Sequence, residues 1–239
     1  MKKIGAMLIM MINLFAFNSI YIWSKEFAIN NNAILSFIKS HNINVALISA
    51  SKNIDCYKLY DFTKMANKNK IKVEFLIGDN SWIYPEKRDK ILNKLKFLSQ
   101  FNNFYIHLDV EPHTIKSLKK YRDKYLNMYL EMLKYIKDNF PKYHISISIP
   151  TFYDIKYVEK FSNYVDYIYL MAYEYKKLSQ LQKRIDRYKS LKSKIVVAFN
   201  CKDFTKEKLI NDVNFVKSLG YKNIAFHSFS SLKGLYEIK

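Results

Sequence analysis

The sequence predicts an α/β fold, a single compact (β/α)8 barrel (TIM barrel) preceded by an N-terminal signal segment. Eight short runs of β-branched and aromatic residues recur along the chain, and amphipathic segments with helical spacing separate most of them. Several runs are apolar on successive residues, which is typical of parallel strands covered on both faces. No Gly-x-Gly-x-x-Gly loop follows any of these runs, which disfavours a nucleotide-binding sheet as the competing α/β fold.

The N-terminus has the pattern of an export signal. Lys2 and Lys3 precede a charge-free run of about 14 residues, which matches signal-peptide apolar regions and is short for a membrane span. We therefore predict a signal peptide or anchor over residues 1–19 and the barrel domain over residues 20–239. The expected location is periplasmic or extracellular, with retention by an uncleaved anchor as the alternative.

Eight strands and five helical segments are predicted in the barrel domain. The strands are residues 20–24, 44–49, 72–77, 104–109, 144–149, 165–171, 195–200 and 223–228. The helical segments between them are residues 34–40, 58–69, 88–100, 115–139 and 207–219. Eight such units in about 220 residues fit the lower end of the size range of this barrel.

The composition is that of a folded, strongly basic domain. Hydrophobic residues make up 49%, which excludes intrinsic disorder, and Gly 4 and Cys 2 exclude collagen-like chains and disulfide scaffolds. Lys and Arg number 40 against 21 acidic residues, which favours anionic partners. Export argues against nucleic acid and leaves an anionic envelope surface as the expected partner. The positions of Cys56 and Cys201 do not by themselves bring the two thiols together.

The candidate site residues follow from the barrel, because barrel enzymes place their chemistry at the carboxyl ends of the strands. Polar and aromatic side chains occur at most of these ends. The candidates are Trp23, Asp79, Trp82, His107, Asp109, Glu111, His113, Met171, Tyr173, Glu174 and His227. His41 and His144 precede strands, at the opposite end of the barrel, and are interpreted as structural.

The fourth predicted strand carries the strongest chemical signal. Because side chains alternate along a strand, His107, Asp109 and Glu111 share one face, which is predicted to point into the barrel. Two carboxylates so close together cannot both ionise freely, so the pKa of one should rise. A carboxylic acid with a raised pKa is suited to protonate a leaving group.

Two motifs resemble the family 18 glycoside hydrolases, the chitinases and their relatives. Asp109-Val110-Glu111 ends the fourth strand, and the sixth carries Met171-Ala172-Tyr173-Glu174. The resemblance implies that Glu111 is the general acid and base and that Asp109 orients the acetamido group of the substrate, which itself attacks the anomeric carbon. It also implies that Tyr173 hydrogen-bonds that acetamido group, that Met171 packs beneath it, and that His107 takes the place of an inner Asp and hydrogen-bonds Asp109.

Several positions depart from the pattern of the resembled family. Phe104 and His107 replace its first two aspartates, and Glu174 stands where Asp is usual. The third strand lacks Ser-x-Gly-Gly, and His227 and Phe229 lie where the eighth strand of the family carries Trp. The sequence is therefore interpreted as a remote relative.

Three functions remain open. The first is an exported glycosidase that acts on an envelope or extracellular polysaccharide with N-acetylated sugars, with Trp23 and Trp82 stacking on sugar rings and no metal or cofactor. The second is a metal-dependent hydrolase, a phosphodiesterase or deacetylase. Its ligands would be His107, Asp109, Glu111 and His113, with His227. The third is a non-catalytic glycan-binding barrel. In each case we expect a monomer.

Overall fold

The computed structural model describes residues 17–50 and 54–237. In these ranges eight parallel strands close into a barrel in the order β1 to β8, and one α-helix follows each strand. The predicted (β/α)8 barrel is confirmed. Residues 1–16 of the predicted signal segment lie outside the described residues, and the first strand begins at Asn18, before the predicted boundary at residue 19.

The strands agree with their predicted positions to within two residues at every end. They are β1 Asn18–Ile22, β2 Val45–Ser49, β3 Lys72–Ile77, β4 Tyr105–Leu108, β5 His144–Pro150, β6 Tyr167–Met171, β7 Ile195–Asn200 and β8 Asn223–His227. The helices are α1 Asn31–Ser40, α2 Cys56–Lys68, α3 Arg88–Ser99, α4 Arg122–Asn139, α5 Ile155–Phe161, α6 Leu178–Ile185, α7 Lys206–Ser218 and α8 Phe229–Glu237.

Apart from shifts of three residues or fewer at other ends, the helices differ from prediction in two respects. Helix α4 begins at Arg122 rather than at residue 115, because Pro112–Thr114 form a 3-10 turn and a loop follows it. Helices α5, α6 and α8 were not predicted. They have 7, 8 and 9 residues, so each offers only about two turns of apolar periodicity to read.

Two layers of buried side chains hold the barrel together. Aliphatic and aromatic residues on the outer faces of the strands pack against the helices in one large cluster. A smaller cluster fills the interior and includes Phe17, Tyr21, Leu76 and Tyr169. Burial on both faces explains the runs of consecutive apolar residues in the strands.

Neither a membrane-spanning helix nor a disulfide is found in the described part of the chain. Among the helices in the described part of the chain, none is both long enough and apolar enough to cross a bilayer. Cys56 is exposed, Cys201 is buried, and both are free thiols.

Candidate active site

An open cleft lies at the carboxyl end of the barrel. Its volume is about 750 Å³, and the predicted residues Trp23, Asp79, Trp82 and Asp109 are among those that line it. Trp82 is only 7% exposed, so its indole forms part of the wall. Trp23 is half-buried and offers more of its ring to a ligand. Lys90, Asn93, Lys94 and Phe97 of α3 complete one side of the cleft.

The backbone holds Asp109 and Glu111 directly after β4. The Asp109 amide donates to the Ile77 carbonyl at 2.9 Å. The Glu111 amide donates to the Asn80 side-chain oxygen at 2.6 Å, and the Thr114 hydroxyl donates to the Glu111 carbonyl at 2.7 Å. The backbone of Glu111 is therefore held at both its amide and its carbonyl. Its side chain stays half-exposed at the barrel mouth.

Gly78 allows the end of β3 to approach Asp109 closely. A Cβ atom built at Gly78 would lie 2.1 Å from the Asp109 carbonyl oxygen, which is rigid backbone. Any side chain at residue 78 must therefore push the ends of β3 and β4 apart.

We expect Gly78→Ala to lower the free energy of unfolding by about 1–3 kcal/mol, because the added methyl overpacks this contact. Urea denaturation measures the change. Gly234→Ala is the matched control, since a Cβ there meets nothing within 4 Å and Ala favours the helix. Equal effects of the two substitutions would contradict the close approach.

A column of polar side chains continues inward from Asp109 along the barrel axis. His107 is fully buried, with Nδ1 at 2.7 Å from the Ser146 hydroxyl and Nε2 at 2.7 Å from the Ser148 hydroxyl. Ser146 donates its proton to the buried Glu74 carboxylate at 2.5 Å, and Lys72 pairs with Glu74 at 2.7 Å. We call Glu74, Ser146, His107, Ser148 and Asp109 the polar column.

The hydrogen bonds of the polar column fix the state of His107. Since Ser146 gives its only hydroxyl proton to Glu74, it must accept from His107 Nδ1–H, which leaves Nε2 as the acceptor. Burial lowers the pKa of His107 to about 3, so the ring is neutral. The Ser148 hydroxyl lies within hydrogen-bond distance of both His107 Nε2 and Asp109, and its single proton can be donated to only one of them at a time. Ser148 thus lies between His107 and Asp109, for which the resemblance implies a direct hydrogen bond.

The two carboxyl groups at the mouth both have raised pKa values. Burial raises the pKa of Asp109, and the hydrogen bond from Ser148 partly opposes this shift. Burial also raises the pKa of Glu111, with a further contribution from the charge of Asp109. The predicted repulsion between the carboxylates is present, but burial is the larger cause.

Tyr173 and His227 form the wall beside these carboxyl groups. Burial and the charges of Asp109 and Glu111 raise the pKa of the Tyr173 phenol, so Tyr173 remains a hydrogen-bond donor. The His227 ring lies 5.8 Å from the Tyr173 ring and 5.6 Å from the Trp23 ring. Burial lowers the pKa of His227. Met171 is half-buried at the end of β6.

Two predicted residues lie outside this wall. The Glu174 side chain is exposed, and its backbone is anchored by Arg184, which donates to the Tyr173 carbonyl at 2.6 Å. His113 lies on the other side of Glu111, with Nε2 at 4.0 Å from Glu111 Oε1 and Nδ1 at 3.0 Å from the Tyr153 hydroxyl. Burial lowers the pKa of His113.

The predicted alternative of a metal site is not formed by these residues. Within residues 17–50 and 54–237, no group of three or more His, Cys, Asp or Glu residues is arranged to hold a metal ion. The physical reason is that both His107 nitrogens are bonded to serines deep in the barrel, and His113 Nδ1 is directed at Tyr153. His107 and His113 therefore do not converge with Asp109 and Glu111 on one point.

Several functional residues were not predicted from the sequence. Ser146 and Ser148 alternate with Ile in β5, a pattern that places both hydroxyls on the inward face and could have revealed them. Glu74 is an isolated carboxylate in the apolar strand β3, which is a comparable signal. Gly78 and Asn80 carry no such pattern, because their roles depend on contacts between two separate strand ends.

Comparison with known proteins gives matches in structure only. No protein-family model matches the sequence, and no curated protein matches it. A chitinase from Bacteroides thetaiotaomicron has a TM-score of 0.72 at 12% identity, with 90% of each chain covered. A fungal endo-β-N-acetylglucosaminidase of glycosyl hydrolase family 18 has a TM-score of 0.65 at 12% identity, with 89% of each chain covered.

The glycoside hydrolase domain of PelA from Pseudomonas aeruginosa is a further match. Its TM-score is 0.61 at 9% identity, and the match covers 90% of this chain and 96% of that domain. At such identities the likeness establishes the fold. The predicted resemblance is confirmed at that level, as a likeness in fold to chitinases and related glycoside hydrolases at low sequence identity.

Proposed function

We propose that the protein is an exported glycosidase that acts on an envelope or extracellular polysaccharide containing N-acetylated sugars. The observation that carries this proposal is the pair of carboxyl groups after β4. Glu111 is half-exposed at the mouth with a raised pKa, and Asp109 lies two residues before it in the wall of the cleft. A carboxyl with a raised pKa beside a sugar-sized cleft is suited to general acid catalysis of glycoside cleavage.

In the proposed reaction Glu111 donates its proton to the glycosidic oxygen as the bond to the anomeric carbon breaks. The acetamido oxygen of the substrate attacks the same carbon, so no second enzyme carboxylate is needed as the nucleophile. Asp109 accepts a hydrogen bond from the acetamido N–H and supports the positive charge that develops. The Tyr173 hydroxyl donates to the acetamido oxygen. Water then opens the cyclic intermediate, and Glu111 accepts the proton of that water.

The comparisons support the choice of substrate class. The structural relatives include a chitinase and an endo-β-N-acetylglucosaminidase, and both names refer to glycans with N-acetylated sugars. Export is proposed from the N-terminal pattern of Lys2, Lys3 and the apolar run that follows. An envelope or extracellular polymer is then the substrate within reach.

The test is hydrolysis of N-acetylglucosamine oligomers and of isolated envelope polysaccharide by the purified protein. We expect new reducing ends, initial products that retain the anomeric configuration, and no effect of a chelator. Activity that a chelator abolishes and a divalent ion restores would instead support a metal-dependent hydrolase. Binding without turnover in any preparation would support a glycan-binding barrel.

Asp109→Asn is expected to change the pH profile as well as the rate. Because the charge of Asp109 helps to raise the pKa of Glu111, its removal lowers that pKa. The acid catalyst then loses its proton at lower pH, so the basic limb of the kcat/KM profile moves to lower pH. Asp203→Asn, at the end of β7, is the matched control and should leave this limb in place. An unmoved limb in Asp109→Asn would contradict the coupling.

A further inference from the structure

A second exposed surface lies at the mouth, beyond Glu111 and away from the tryptophan cleft. A continuous series of contacts leads to it. His113 Nε2 lies 4.0 Å from Glu111 Oε1, and the His113 ring meets the Phe152 ring edge-on at 5.3 Å. The Arg122 guanidinium lies over the Phe152 ring, 5.7 Å from its centroid. Arg122 therefore stands two side chains away from the proposed proton donor.

Phe152 is exposed in a way that core packing does not explain. It directly follows Thr151 at the end of β5, and 42% of its surface is open to solvent. Tyr153, its neighbour, is buried and fills the space beneath the loop. Phe152 is a large apolar side chain beside the proposed active site, held by two neighbouring rings and open to solvent. A sugar ring can stack on such a side chain.

The charge around Phe152 is strongly positive. Five exposed basic residues lie in the loop after Glu111 and in the first turn of α4, namely Lys116, Lys119, Lys120, Arg122 and Lys124. The acidic residue within this stretch, Asp123, lies 3.8 Å from the Lys156 ammonium. Within the described part of the chain, Arg122 makes no ion pair. We call Phe152, Arg122, Lys116, Lys119 and Lys120 the Arg122 surface.

Positive charge is present on the other side of the catalytic carboxyls as well. Lys90 and Lys94 of α3 line the tryptophan cleft. A polysaccharide that passes from this cleft over Glu111 to Phe152 would therefore meet lysine or arginine side chains at both ends of its path. These side chains can donate hydrogen bonds to any polysaccharide, but only an anionic polymer is also attracted by their charge along its whole length.

We propose that the Arg122 surface binds an acidic sugar residue of the polysaccharide, with the sugar ring on Phe152 and its carboxylate on the Arg122 guanidinium. This inference rests on the proposed function and names the substrate class as an anionic glycan. The planar guanidinium can donate two parallel hydrogen bonds to a carboxylate, which a lysine cannot. The surrounding lysines hold the polymer by longer-range attraction, which salt screens.

The experiment measures binding in the Glu111→Gln background, so that turnover does not interfere. The probes are oligosaccharides of alternating N-acetylglucosamine and glucuronic acid, and N-acetylglucosamine oligomers of matched length. Titration calorimetry gives the ratio of the two affinities. We expect the acidic oligomer to bind more tightly. Arg122→Gln should lower the ratio by about tenfold, which is the value of a charge-assisted hydrogen bond.

Three further variants separate the contributions to binding. Arg122→Lys keeps the positive charge but loses the planar pair of N–H donors. The acidic oligomer should therefore keep only part of its advantage in affinity over the neutral oligomer. Phe152→Ala should weaken both oligomers, because it removes the stacking platform. Lys64→Gln, an exposed residue of α2, is the matched control for net charge and should change neither affinity. Equal affinities for the two oligomers, or an equal loss of both in Arg122→Gln, would overturn the proposal.

Three outcomes distinguish this inference from membrane binding and from the proposed hydrolase activity. If Arg122→Gln abolishes binding to phosphatidylglycerol vesicles while the oligomer ratio stays unchanged, the surface contacts membrane and the proposal is overturned. If no preparation hydrolyses any glycan, yet the ratio still depends on Arg122, the acidic-sugar site stands and the proposed hydrolase activity fails. Turnover of neutral oligomers with no dependence on Arg122 would leave the hydrolase standing and overturn this inference alone.

Discussion

Glu111→Gln is expected to lower kcat by roughly a thousandfold or more, since an amide cannot deliver the proton that the leaving group needs. The fold should persist, because the Glu111 side chain is half-exposed and the contacts that fix this residue are made by its backbone amide and carbonyl. The measurement is single-substrate kinetics on the glycan that the wild-type protein hydrolyses, together with thermal unfolding. Affinity for the intact oligomer should change little.

Glu86→Gln provides the matched control for this substitution. Glu86 is an exposed glutamate in the 3-10 turn Pro85–Lys87, and its change to an amide removes the same charge. The control should retain wild-type kcat. Near-normal turnover in Glu111→Gln would remove Glu111 from the mechanism, whereas a loss of rate with a lowered unfolding temperature would show that the carboxyl is structural.

His107→Gln is expected to make the protein less sensitive to acid. Folding holds His107 neutral, with its pKa lowered from 6.5 to about 3 by burial. In the unfolded chain the imidazole takes up a proton as the pH falls through 6.5, so the contribution of His107 to stability is lost progressively between pH 6.5 and about 3. By about pH 4 this loss amounts to about 3 kcal/mol in the wild-type protein. Gln has no group that takes up a proton in this range, so the His107→Gln protein does not lose this stability.

Urea denaturation near neutral pH and at about pH 4 measures this effect. The fall in the free energy of unfolding between the two conditions should be smaller in His107→Gln than in the wild-type protein. His144→Gln changes an exposed imidazole at the other end of the barrel and should leave the wild-type difference in place. An equal fall in His107→Gln and the wild-type protein would mean that the buried imidazole is protonated or accessible to water.

The fold was largely predictable because its signals are local. Strand positions follow from short apolar runs, and burial on both faces keeps those runs continuous. The predicted start of α4 was wrong by seven residues, because the basic loop before Arg122 has helical spacing without forming a helix. The shortest helices escaped prediction, since seven to nine residues carry too little periodicity to separate them from loops.

The site was predictable only where one strand supplies it. Asp109 and Glu111 follow from alternation along β4, and the barrel places that strand end at the mouth. The partners of His107 depend on the register that sets it beside Ser146, which no single segment specifies. For Trp82, the position beside the cleft was predicted, but its burial depends on the surrounding helices. Trp82 therefore forms part of the wall more than an exposed stacking surface.

The polar column also limits which substitutions residue 107 can accept. A carboxylate at residue 107, as in the resembled family, would place a charge between Glu74 and Asp109, where the hydroxyl of Ser146 is already committed to Glu74. That new charge would have no cation beside it, since Lys72 already pairs with Glu74. A carboxylate at residue 107 therefore needs coordinated changes on β3, β4 and β5. The imidazole at residue 107 and the carboxylate at residue 74 depend on each other through the hydroxyl of Ser146.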